Sequence, residues 1–233
     1  MNATEDIITS VKNLAAFIPL TYITLFHVVN PIGSGILFLN FTPNATDALR
    51  KKVSLKIAWN MFMVLTVTLF AGTYILQLFG ITIPIVQIGG GLMLASMGWK
   101  ALYSDDSTNE SNQKQIVKDQ ASSDAMYMSQ VFYPLTFPFT IGPACLAATL
   151  TISAHSSAHH TSKYYVLGGG VIGILLVSIT VYLFYVYSNS IVKQMSPQNR
   201  NMLMKLLSFI LMCIGGQIMY GGLTGIVQQL KLV

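Results

Sequence analysis

Two short stretches of this sequence place proline and glycine where an apolar helix would otherwise run on. The first is Asn30-Pro31-Ile32-Gly33-Ser34-Gly35. Pro31 has no N–H to donate and its ring clashes with the preceding turn, so carbonyls there lose their helical partners. Gly33 and Gly35 let the backbone depart further from helical geometry, and the Asn30 amide can both donate and accept. Inside a bilayer every freed backbone group has to meet protein, water or ligand. A broken helix here therefore suggests a lined cavity, with Asn30, Pro31, Gly33 and Ser34 as candidate solute-binding residues. The alternative is a plain proline kink with Asn30 bonded to a neighbouring helix.

The second stretch is Pro134-Leu135-Thr136-Phe137-Pro138-Phe139-Thr140-Ile141-Gly142-Pro143, whose three prolines in ten residues rule out a regular α-helix. The chain before Gly142 is expected to be unwound or re-entrant, and a new helix is expected to start at Gly142-Pro143. Its first N–H groups would carry partial positive charge into the membrane interior, as would those of a helix starting at Pro31 from the opposite side. Two such helix ends would cradle a carboxylate. Pro138, Thr140, Gly142 and Pro143 join the candidate site on this argument.

Other residues bear weaker signals. Most glycines are expected to serve close helix packing, as the spacings Gly169/Gly173 and Gly221/Gly225 suggest. Gly89, Gly90, Gly215 and the nearby Gln217 are kept as candidates where backbone could let a ligand approach. His27 lies one turn before Asn30 and is a candidate proton relay; the alternative is a neutral histidine bonded to a neighbour. No Asp or Glu falls inside an apolar stretch, and no H-E-x-x-H occurs. Intramembrane aspartyl proteolysis and zinc hydrolysis thus lack their groups, and a Ser34–His27 dyad is broken by Pro31 and Gly33. The two cysteines, Cys145 and Cys213, have no disulfide-framework or metal-type spacing. No enzyme activity, metal or cofactor is expected.

The elements that would position these residues are long apolar helices. Six stretches free of Asp, Glu, Lys and Arg occur at residues 14–41, 57–80, 81–99, 125–154, 164–192 and 206–230, each near the roughly 20 residues a membrane-crossing helix needs. Composition agrees: 53% of residues are hydrophobic and 9% charged, with a mean hydropathy of +0.59, against about 25% charged in soluble domains. The net charge of +5 does not imply nucleic acid, because the cations are scattered between apolar stretches. Three polar segments, 42–56, 100–124 and 193–205, hold ten of the 13 Lys and Arg residues. The positive-inside rule makes those segments cytoplasmic and puts both termini outside.

The halves also resemble each other. Asn30-Pro31 has a counterpart in Gly142-Pro143, and Ile88-Gly89-Gly90-Gly91-Leu92-Met93 in Ile214-Gly215-Gly216-Gln217-Ile218-Met219. Three spans per half would force the second half to insert upside down. The expected fold is an all-α polytopic membrane protein with one membrane domain. Its six transmembrane helices would form an inverted 3+3 repeat, residues 14–104 and 125–230, with broken first and fourth helices.

Asn30-Pro31-Ile32-Gly33, Phe79-Gly80-Ile81-Thr82-Ile83-Pro84 leading into Ile88-Gly89-Gly90-Gly91, Pro134 to Pro143, and Phe209 to Gly215 with Gln217 together resemble the MarC family of inner-membrane proteins, over nearly the whole chain. The resemblance implies a six-span protein of a bacterial or archaeal cell membrane, and some relatives are described as carriers of small neutral amino acids such as glycine and alanine. Many relatives have a second proline three residues after the motif glycine, where this chain has Ile36, which implies a milder first break. The expected function is a secondary transporter of small neutral amino acids, coupled to a proton or sodium gradient; a homo-oligomer is compatible with this. The alternatives are a non-transporting scaffold or signalling protein, or efflux of another small solute.

Overall fold

The computed structural model describes residues 3–42, 45–103, 124–157 and 163–230. Most of the polar interval 100–124 lies outside the described residues. Those described form helices with no strand.

Helix α1 (Ala3–Val29) stops because Pro31 cannot continue its ladder. Asn30 takes a left-handed conformation, φ 49° and ψ 65°, which asparagine tolerates better than most residues. Helix α2 (Pro31–Phe41) restarts at once, with proline at the first position, where its missing N–H costs nothing. Helix α3 (Asp47–Leu78) begins with Thr46 Oγ1 accepting from the N–H of Leu49 at 3.2 Å, and Asp47 lies in its first turn. It ends on Gly80 at φ 65°. There Gly80 donates to the carbonyl of Gln77 and Ile81 to that of Leu76, the paired bonds of a glycine-terminated helix. Helix α4 (Ile83–Tyr103) follows with Pro84 in its first turn, the tight turn that Gly80 and Pro84 predict.

After a short α5 (Asp124–Ser129) comes a π-type segment, Val131–Thr140. Its bonds reach back five residues, from Leu135 to Gln130 and from Ile141 to Thr136. Tyr133 and Phe137, each preceding a proline, are extended, as pre-proline residues prefer. The hydroxyls of Thr136 and Thr140 donate to the carbonyls of Val131 and Leu135, both at 2.7 Å, replacing main-chain donors. Helices α6 (Pro143–Ser157), α7 (Lys163–Lys193) and α8 (Pro197–Leu230) complete the chain.

The largest helix contact joins α4 to α8, and glycine makes it. A methyl at Gly91 would stand 2.6 Å from the Gly215 carbonyl oxygen and the Met219 nitrogen. One at Gly222 would stand 2.6 Å from the Pro84 carbonyl oxygen. The two backbones touch, as small residues allow in membrane helices. Helix α7 packs on α1, α2 and α3, and α3 also packs on α6 and the π-type segment. The centre is filled by Met61, Leu65 and Leu69 from α3 and Ile174, Val177, Val181 and Tyr185 from α7, all with no exposure.

The outside is apolar too: Leu55, Trp59, Val67 and Phe70 on α3, and Leu175, Ile179 and Leu183 on α7 are exposed. Helices apolar on every side belong in hydrocarbon. Among the described residues four runs are long and apolar enough to cross a membrane: Ala16–Leu39, spanning α1 and α2, Asp47–Leu78, Tyr164–Ser190 and Asn201–Gln228. The pair Val131–Thr140 and Pro143–Ser153, bent by 68°, makes up to five. The third of the six apolar stretches became α4, which falls short of the others because Gln87, three consecutive glycines and Lys100 dilute its apolar side chains.

Candidate functional site

The two helix breaks, far apart in sequence, border one cavity of about 160 Å³. Asn30, Gly33 and Ser34 line it from the first break, and Pro138, Thr140, Gly142 and Pro143 from the second. Val28 and Val29, the carbonyl end of α1, also face it. The last carbonyls of a helix lack intrahelical donors and carry partial negative charge, whereas the first N–H groups carry partial positive charge. Here the end of α1 meets the starts of α2 and α6, so both signs reach one space.

Asn30 organises the first break. Its Oδ1 accepts from the N–H of Gly33 at 3.2 Å, and its carbonyl accepts from both Ser34 N–H and Ser34 Oγ, each at 2.9 Å. The side-chain oxygen is thus a helix cap, while the amide nitrogen remains as a donor on the cavity wall. At the second break the carbonyl of Gly142 accepts from the N–H of Cys145 at 2.9 Å. The Leu146 N–H also points to that carbonyl, at 3.4 Å, and glycine brings no side-chain cap, so among the first-turn donors of α6 the N–H of Ala144, a cavity-lining residue, is the one left over.

Tyr185 ties the two breaks together. Its hydroxyl lies 2.9 Å from Thr140 Oγ1. The Thr140 hydrogen is committed to the Leu135 carbonyl, so Tyr185 is the donor in its bond to Thr140. Its ring stacks on Phe38 of α2, with centroids 4.6 Å apart and planes 15° off parallel. Met93 and Met97 from α4 and Leu207 and Leu211 from α8 form an apolar wall. Among the described residues no Asp, Glu, Lys, Arg or His lines the cavity, so the field they set there comes from helix ends and neutral dipoles.

The other sequence candidates lie elsewhere. Pro31 is buried behind Asn30, where it ends α1. Gly89 is exposed, with open space where a side chain would stand. Gly90 abuts Ala144 and Ala147, and Gly215 abuts the backbone of Gly91 and Ala95. Gln217 lines a second cavity. His27 is exposed away from the first cavity; its Nδ1–H donates to the Ile23 carbonyl at 2.7 Å, and its ring meets Phe26 edge-on.

Tyr185, Cys145 and Ser208 are lining or supporting residues that the sequence reading did not single out. A signal for Tyr185 existed. It falls on the buried stripe Ile174, Val177, Ser178, Val181, Tyr185, Ser188, where a phenol among serines at helical spacing needs a polar partner.

The family described as "MarC family integral membrane protein" matches residues 15–227. The "UPF0056 inner membrane protein MarC" of Citrobacter koseri is 28% identical over 214 residues, covering 91% of this chain and 96% of that protein. The "UPF0056 membrane protein YvbG" of Bacillus subtilis is 29% identical over 211 residues, covering 90% and 95%. No solved structure matches. A match across nearly the whole chain, on helices apolar enough for a bilayer, shows that the chain belongs to the MarC family of integral membrane proteins.

Proposed function

We propose that this protein is a secondary transporter of small neutral amino acids of the size of glycine and alanine. The observation that carries the reading is the cavity shared by the two helix breaks, which offers both signs of partial charge and no ionised side chain. A zwitterion fits that pattern. Its carboxylate would take the Ala144 N–H at the start of α6 and the Asn30 amide nitrogen. Its ammonium would take the carbonyl end of α1 and those near Pro138. A solute with net charge would leave its charge without a partner, which is costly at low dielectric. The size also agrees: an engineered cavity of about 150 Å³ admits benzene, so about 160 Å³ accommodates glycine or alanine.

The packing favours an inverted 3+3 repeat of six helices around this site, with α4 as the third crossing. Its proposed counterparts pair off, α3 with α7 and α4 with α8, while α1 packs on α6 and α2 on the π-type segment. That crossed pairing is what two antiparallel broken helices would make. Residues Lys51, Lys52, Lys56, Lys100 and Lys205 are exposed, in keeping with cytoplasmic loops and outward termini in the inner membrane. A proton or sodium gradient would drive the cycle.

The test is uptake of radiolabelled glycine and alanine into proteoliposomes, with and without an imposed proton or sodium gradient. Saturable, gradient-driven uptake that Asn30→Ala abolishes is the expected result. No uptake by correctly folded protein overturns this solute assignment.

A further inference from the structure

The second cavity, about 230 Å³, has polar walls contributed by Thr24 of α1, Gln87 of α4, Thr151 of α6 and Gln217 of α8. These are the same helices that border the first cavity, at neighbouring turns. On α1 Thr24 precedes Val28 by one turn, and on α6 Thr151 follows Cys145 by less than two. The cavities are therefore stacked along one helix bundle. Between them Gly90 lies against α6, where a methyl would stand 2.7 Å from that of Ala147 and 3.4 Å from the Ala144 Cα. Half-buried Ile214 occupies the corresponding level of α8, between Leu211 in the first cavity and Ile218 in the second.

The polar groups are not used up by packing. Gln87 Nε2 donates to Thr151 Oγ1 at 2.9 Å, and Thr151 in turn donates to the Ala147 carbonyl. That leaves the Gln87 oxygen and its second amide hydrogen available. Among the described residues the Thr24 hydroxyl and Gln217 amide have no hydrogen-bond partner. Neutral amides and hydroxyls in an otherwise apolar bundle are expensive unless they meet water or a ligand.

We propose that the cavity walled by Thr24, Gln87, Thr151 and Gln217 is a second, hydrated vestibule for the same small zwitterionic solute, opening to the opposite membrane face, and that the contact of Gly90 with Ala144 and Ala147 is the seal between the two. The inference rests on the transporter reading and adds its second mouth and its gate. Glycine and alanine at the seal let α4 slide on α6 without a side chain in the way. The amides and hydroxyls would replace solute hydration without selecting for net charge.

The experiment places single cysteines in protein lacking Cys145 and Cys213, at Met97 in the first cavity and at Thr151 and Gln217 in the second. A further cysteine at the outward-facing Leu92 is the lipid control. A permanently charged methanethiosulfonate reagent is added to one face of oriented proteoliposomes at a time. The expected result is that Thr151→Cys and Gln217→Cys react from the face opposite to Met97→Cys, each roughly tenfold or more faster than from its other face, because a fixed charge crosses hydrocarbon slowly. Reaction of all three from one face overturns the proposal. So does a lack of reaction at Thr151→Cys and Gln217→Cys when the denatured proteins label fully. Labelling requires no transport, so opposite-face labelling without glycine uptake would uphold the two mouths and count against the solute assignment alone.

Discussion

The Tyr185 hydroxyl donates to Thr140 Oγ1 across 2.9 Å, and the ring behind it stacks on Phe38. One side chain from the C-terminal third of α7 thus fixes the end of the π-type segment relative to α2. The bond is fully buried, and the Thr140 hydroxyl is itself held by Leu135. The chain of donors runs one way, from Tyr185 through Thr140 to a main-chain carbonyl.

Tyr185→Phe keeps the stack and removes the donor. A buried hydrogen bond of this type contributes about 1 kcal/mol, so a small drop in melting temperature is expected. If the bond holds the cavity in shape, apparent solute affinity falls by roughly fivefold, the equivalent of that energy. Thr140→Val also removes the bond to the Leu135 carbonyl, so it should lose more than Tyr185→Phe, and the double variant little more than Thr140→Val alone, since the bond the two residues share is then already gone. Additive losses in melting and uptake would show that the two hydroxyls act separately.

Gly33→Ala separates site geometry from stability. An added methyl would stand 2.6 Å from Asn30 Nδ2, the far end of a flexible side chain. The amide can swing away, and the fold survives. Losing the cap costs about 1 kcal/mol, and replacing glycine by alanine in a helix returns about as much. The expected outcome is near-unchanged thermal stability with strongly reduced uptake. Equal loss of both would mean that Asn30 matters only as a cap.

Sequence alone made both breaks legible because proline and glycine act locally. Pro31, Pro134, Pro138 and Pro143 set backbone geometry wherever the chain goes, and Gly80 with Pro84 dictates its turn. The role of the glycine motifs was not legible in the same way. Ile88-Gly89-Gly90-Gly91 and Ile214-Gly215-Gly216 read alike, yet Gly91 and Gly215 lie against backbone, Gly90 against Ala147, and Gly89 and Gly216 against nothing. Helix rotation decides among those fates, and in helices apolar on every side no hydrophobic face announces the rotation. Tyr185 was missed for a related reason: α7 holds five tyrosines, and only tertiary packing picks the buried one.

That difference in glycine environment gives a matched pair. Gly91→Ala would force a methyl to 2.6 Å from two backbone atoms of α8, which cannot move aside as a side chain could. Overpacking of this kind costs about 1–3 kcal/mol. Gly216→Ala meets nothing within 4 Å and gains up to about 1 kcal/mol of helix propensity. In detergent the first variant should melt well below the parent and the second at or above it. Similar melting of the two would mean that α4 and α8 do not touch through their backbones.

Asn30 combines three properties that substitution can pull apart: left-handed backbone, an acceptor for the Gly33 N–H, and an amide donor on the cavity wall. Asn30→Gly keeps the first alone. Asn30→Ala keeps none and adds about 1–2 kcal/mol of backbone strain, so it should melt below the glycine variant. Asn30→Asp tolerates the backbone and retains the cap, but replaces the donor with a carboxylate facing the site intended for the solute's own carboxylate. The aspartate variant is therefore expected to fold and to transport least for its stability. Uptake by Asn30→Asp at the parent rate would remove Asn30 from solute recognition and leave it as a structural cap.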